Sequence, residues 1–90
     1  MRVLLVTYTL RNQLKDYSSF YSAIKSNGTK WWHYIDAAWI VQTSLTADQF
    51  AHQLFPHIEK PDYLLVVRIT GEHQGWLPKD AWDWINSLNY

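Results

Sequence analysis

Two acidic side chains, Asp36 and Asp62, and two basic ones, Arg11 and Lys15, form the set in this chain best suited to phosphodiester chemistry. A pair of carboxylates can hold one hard divalent cation, and neighbouring cations can hold a phosphate. Each acid also has a plain structural reading. Asp36 lies between two extended aromatic runs, where aspartate is a favoured turn residue, and Asp62 follows Pro61 in a Pro-Asp turn.

The four histidines suggest no metal site. His52 and His57 are five residues apart, off the i, i+4 spacing that places two ligands on one helix face. His33 reads as a packed or surface histidine, with a catalytic role or a nucleic-acid contact as the sharper alternatives. His73, in the polar stretch Glu72-His73-Gln74, has no evident partner. The chain contains no nucleophile elbow, phosphate-binding loop or paired-histidine zinc motif.

The elements that must position these groups can be read from periodicity. Arg2 to Tyr8 is a strand in which Val3, Leu4, Leu5 and Val6 are apolar on both faces, as in a strand covered on both sides. Thr9 to Lys15 is a polar loop. Asp16 is placed to cap a helix from about Tyr17 to Ser26, with Tyr17, Phe20, Tyr21 and Ile24 on one face and Asn27-Gly28 as its stop. Trp31 to Val41 is dense in aromatic and β-branched residues with room for only a tight turn, which predicts a β-hairpin.

Thr46-Ala47-Asp48-Gln49 has the form of a capping box, with Leu45 and Phe50 spaced as a hydrophobic staple. Phe50, Leu54 and Ile58 carry this second helix onto the sheet, and Pro56 distorts or ends its last turn. Tyr63 to Thr70 is another strand apolar on both faces, and Gly71 to Gly75 is a loop. Pro78 opens a short C-terminal helix bearing Ala81, Trp82, Trp84, Ile85 and Leu88.

This order predicts one α+β domain over residues 1–90 with the ferredoxin-like βαββαβ arrangement. Its four-stranded antiparallel sheet has order 4-1-3-2, both long helices lie on one face, and a short C-terminal helix follows. The outer face then needs further cover, which the C-terminal helix supplies in part. A second copy is expected to supply the rest, with Trp76 and Trp82 at the dimer interface.

Composition narrows the function classes. Ninety residues bury roughly 60 to 65% of their unfolded surface, and the six Trp, six Tyr and three Phe compensate with large buried areas. Eight basic residues balance eight acidic ones, so a grip on nucleic acid must be local or weak. There is no cysteine, and the apolar run at Met1 to Thr7 is too short for a signal or membrane segment. A cytoplasmic protein without a membrane partner is expected.

Several residues together carry a family resemblance: Tyr8, Asp16-Tyr17, Trp31-Trp32-His33-Tyr34, Trp39-Ile40-Val41, Leu64-Leu65-Val66, Thr70-Gly71 and Gly75-Trp76-Leu77. In these the chain resembles the small bacterial and phage proteins labelled SinR-like. Those in turn resemble the VapD toxins and the CRISPR-associated adaptor nuclease, Cas two. The resemblance implies a ferredoxin-like homodimer of metal-dependent nuclease descent. In the nuclease relatives an aspartate follows the tyrosine that ends the first strand, and here that catalytic position is Thr9. A threonine hydroxyl is a poor substitute for an anionic ligand to a hard cation.

Topology places Asp36 and Asp62 at the same sheet end as Thr9, with Arg11 and Lys15 in the adjoining loop. The leading expectation is a non-catalytic or weakly catalytic dimer that binds RNA, DNA or a partner protein in a defence, phage or toxin-like setting. A nuclease using magnesium or manganese at Asp36 and Asp62, and a purely structural interaction module, are the alternatives.

Overall fold

The computed structural model describes residues 1–90. The first strand, β1 (Arg2–Thr9), runs through the middle of a four-stranded antiparallel sheet and pairs with β3 (Ala38–Thr43) on one side and β4 (Tyr63–Arg68) on the other. The remaining strand, β2 (Lys30–Ile35), pairs with β3 through a two-residue turn at Asp36-Ala37. The strand order is β2-β3-β1-β4, which read from the opposite edge is 4-1-3-2. Three helices complete the α+β architecture: α1 (Ser18–Asn27), α2 (Ala47–Leu54) and α3 (Lys79–Asn86). No helix is long and apolar enough to cross a membrane.

The lack of alternation in β1 follows from its position, because successive side chains point to opposite faces and both faces are packed. Leu4, Val6 and Tyr8 join Trp39 and Val41 of β3 beneath Phe20, Ala23 and Ile24 of α1 and Phe50 and Leu54 of α2. On the opposite face, Trp32 packs with Ala81 and Ile85 of α3, flanked by Ile40, Leu77 and Trp84. The core is therefore split into two unequal layers by one sheet.

Local chemistry sets the helix ends. Thr46 Oγ1 accepts from Gln49 N at 3.1 Å while Gln49 Oε1 accepts from Thr46 N at 3.0 Å, completing the capping box. Beyond Leu54 the chain tightens into one 3₁₀ turn, Phe55–His57, because Pro56 lacks the N–H that would continue an α-helix. At the start of α1, Asp16 Oδ1 accepts from Ser18 N at 2.9 Å.

The end of α1 departs from the expected left-handed glycine stop. Gly28 is extended, with φ of −109°, and the helix is closed instead by two side-chain hydrogen bonds, one tertiary and one local. Thr43 Oγ1, buried at the end of β3, donates to Asn27 O at 2.8 Å, and Asn27 Nδ2 donates to Ala23 O at 2.8 Å. One further expectation is corrected. β4 ends at Arg68, before Thr70, although Ile69 N still donates to Val3 O at 2.9 Å. Its outer face is left open, in keeping with the expected need for further cover, with Tyr63 and Leu65 62% and 57% exposed.

The tryptophans divide accordingly. Trp39 and Trp32 are buried, Trp82 and Trp84 pack against the α3 layer, and Trp31 and Trp76 are exposed, Trp76 at 98%. Replacing Trp39 by Ala should destabilise the domain by about 3–5 kcal/mol and lower the thermal midpoint steeply. An unchanged midpoint would refute its place at the centre of the larger layer.

Candidate functional site

The loop after β1 is organised around one carboxylate. Asp62 Oδ1 accepts from Arg11 N at 2.8 Å, and Asp62 Oδ2 accepts from Glu59 N at 3.3 Å. The Tyr17 hydroxyl stands 2.9 Å from each of these oxygens and shares its single proton between them. It also accepts from Asn12 N at 3.3 Å. One side chain at the start of β4 thus fixes the β1–α1 loop, the start of α1 and its own turn, where Asp62 N donates back to Glu59 O at 2.7 Å.

The electrostatics agree with this geometry. The Arg11 backbone N–H, aided by the Tyr17 hydroxyl, the Glu59 N–H and the Lys15 charge, holds the Asp62 carboxyl below the usual carboxylate range despite partial desolvation. Burial, together with the Asp62 charge, raises the Tyr17 phenol. The turn-forming role of Asp62 therefore accounts for both of its oxygens.

Thr9 is exposed and pairs with Tyr63 in the β1–β4 register. On the other side of β1, Tyr8 N donates to Ala37 O at 3.2 Å, which brings the Asp36 turn to the same sheet end. Asp36 and Asp62 flank Thr9 from opposite sides, two strand spacings or roughly 10 Å apart in backbone terms. With the Asp62 carboxylate turned into its loop, no group of three or more histidine, aspartate or glutamate side chains converges anywhere in the fold. The shared sheet end is as expected, but its acids are not gathered into a cation-binding cluster.

The basic residues separate in a similar way. The Arg11 guanidinium lies 4.9 Å from the centre of the exposed Tyr63 ring, within cation–π range. Lys15 is drawn inward, its Nζ donating to His57 O at 3.1 Å and lying 5.1 Å from the Tyr17 ring centre. His33 stacks on Trp39 with ring centres 4.1 Å apart, and its Nδ1 donates to Ala38 O at 3.1 Å. In a neutral His33 this leaves Nε2 as an acceptor.

Thr7, Tyr8, Thr9, Tyr63, Leu64 and Leu65 line a shallow depression of about 160 Å³ between β1 and β4. Sequence reasoning named Thr9 and Arg11 here but missed Tyr63, which stood out only as the first residue of a strand. A second cation–aromatic group went unread as well. Lys25 Nζ lies 5.0 Å from the Trp31 ring and 6.0 Å from that of Trp39, a pairing of α1 with the hairpin that no local spacing announces.

At the opposite pole of reactivity, the Tyr8 hydroxyl accepts from Trp39 Nε1 at 2.9 Å and donates to Asp36 O at 3.3 Å. Burial pushes its pKa up to about 12, so the phenol stays neutral and structural. No protein-family model, curated protein or solved structure gives a significant match to the chain.

The lowered pKa of Asp62 fixes the sign of an acid dependence. Its contribution to stability is present above the unfolded carboxylate pKa and is lost as pH falls through the lower folded value. Asp62→Asn should lower the thermal midpoint at neutral pH and flatten the decline as pH falls below the ordinary carboxylate range. A variant that keeps the wild-type acid slope would remove Asp62 as the organiser of the loop.

Proposed function

We propose that the chain is a ferredoxin-like, homodimeric, cytoplasmic protein that binds single-stranded nucleic acid without cleaving it. The defence, phage or toxin-like setting follows from its resemblance to the SinR-like, VapD and Cas two proteins. The observation that carries this reading is the Arg11 guanidinium held 4.9 Å over the exposed Tyr63 ring, beside Thr9. An aromatic face with an adjoining cation suits base stacking and phosphate contact together. Such a contact is local, as the balanced total charge requires.

Dimerisation is supported by the outer face of the sheet. The α3 layer covers the β2–β3 half, while Leu65 and Tyr63 leave the β4 half apolar and open. Trp76, fully exposed in the loop before α3, and the half-buried Trp82 of α3 are further large apolar side chains that a second copy could cover. Absence of catalysis is supported by Thr9 in the position of the relatives' aspartate and by the commitment of Asp62 to its loop.

Labelled single-stranded RNA and DNA titrated by fluorescence anisotropy at several salt concentrations test the binding. Arg11→Ala should weaken it and reduce the logarithmic salt slope by about 0.7, and Tyr63→Ala should cost about 1–3 kcal/mol of affinity. Leu65→Asp should convert the dimer to a monomer in sedimentation experiments. Incubation with magnesium or manganese should leave the strands intact. Chelator-sensitive cleavage lost in Asp36→Ala would establish a nuclease instead, and no affinity for either strand would direct the proposal to a protein partner.

A further inference from the structure

At the end of the sheet opposite Thr9, Met1, Arg2, Ser44 and Arg68 line an open depression of about 380 Å³. Two of the chain's three arginines thus meet at one place. Strand register brings them there. Arg68 pairs with Leu4, and Arg2 lies two residues before Leu4, so all three side chains share the face that carries α1 and α2. Arg2 and Arg68 are diagonal neighbours across β1 and β4, a relation that sets their backbones about 7–8 Å apart.

Nothing within the chain neutralises this pair. The ion pairs of the fold join Asp48 to His52 and Asp83 to Lys79, so Asp48, four residues after Ser44, is turned away from both arginines. Arg2 Nη1 donates to Ser44 O at 3.0 Å, which fixes its guanidinium at the end of β3. Four of its five N–H donors, and all five of Arg68, are left without a partner in the chain. The Ser44 hydroxyl beside them is unpaired as well. Like charges at this spacing repel one another. A depression that gathers two guanidiniums and no carboxylate, in a chain with eight acidic residues, calls for an anion from outside.

Charge and shape select that anion. Two guanidiniums present two planar forks, which match pairs of phosphate oxygens. A phosphate monoester carries about −1.5 to −2 at pH 7 and balances both, whereas a carboxylate or a phosphodiester carries one charge and leaves one arginine uncompensated. We infer that Arg2, Arg68 and the Ser44 hydroxyl bind a phosphate monoester. The site lies roughly 23 Å along β1 from Thr9, and the assignment is independent of the nucleic-acid reading.

The three arginines give three side-chain Nε–H signals in a ¹⁵N-labelled sample, assigned by single replacements with Lys. Methyl phosphate at pH 7 should shift the Arg2 and Arg68 signals with one shared dissociation constant and leave that of Arg11 in place. Dimethyl phosphate, a diester with a single charge, should bind about tenfold more weakly. Arg2→Gln and Arg68→Gln should each weaken methyl phosphate about tenfold, while Lys60→Gln, which removes a charge from an exposed loop, should not. If Arg2→Gln fails to fold, Arg68→Gln decides alone.

Short oligonucleotides with a 5′-phosphate or a 5′-hydroxyl distinguish the sources. An Arg68 shift with the phosphorylated strand alone supports the site and gives it to a strand end, and a response to methyl phosphate but to neither strand supports it for a small phosphorylated molecule. An unmoved Arg68 signal, a shift confined to Arg11, equal affinity for the two methyl esters, or the same loss in Lys60→Gln as in Arg68→Gln would overturn the assignment.

Discussion

The hydrogen bond from Trp39 Nε1 to the Tyr8 hydroxyl joins two of the largest side chains in the core, and much of the remaining structure is arranged around it. Each group alone would bring an unpaired polar atom into an apolar layer, whereas together they satisfy one another. The same hydroxyl reaches the Asp36 carbonyl, so the hairpin turn is tied to the end of β1 from inside the protein. Phe20 meets the Tyr8 ring edge-on at 5.0 Å and Tyr21 lies against Trp39, which sets α1 over this junction. The sheet end bearing Thr9 is thus defined by buried aromatic packing before any surface residue contributes.

Much of this was legible in the sequence because the relevant signals are local. The uninterrupted apolar run of Val3 to Val6 marked a strand packed on both faces, and the Thr46 to Gln49 spacing marked a helix start whose two reciprocal bonds form as written. The end of α1 was less legible: Asn27-Gly28 suggests a self-contained stop, but the closing donor is Thr43, 16 residues later in β3. That β4 is apolar on both faces can be read from its composition, but what covers it cannot. Its burial depends on what lies over the sheet, and α3 reaches only the far half.

The candidate site shows the same division more sharply. That Thr9, Asp36 and Asp62 share one end of the sheet follows from strand order. Where the Asp62 carboxylate points does not, because its partners at Arg11 and Tyr17 lie 51 and 45 residues away in the chain. The Arg11–Tyr63 stack likewise depends on the register that sets Thr9 against Tyr63. Trp32 was recognisable as a core residue, but only the packed structure reveals that its N–H lacks an acceptor.

The central position of β1 also has a consequence for the order of events during synthesis. Its register partner across β4 joins Leu4 to Arg68, so one edge of the earliest strand stays open until 64 further residues have been added. At about 5–20 residues per second, that interval lasts roughly 3–13 s. Throughout it, Val3, Leu4, Leu5 and Val6 present a short, uncharged, strongly β-forming segment, of the kind most prone to pair with neighbouring chains. The hairpin reaches β1 first, through the Arg2 to Thr43 pairing, and shields one edge while the other waits. On the ribosome the chain is therefore most exposed to self-association before the last strand emerges, a vulnerability invisible in the finished fold.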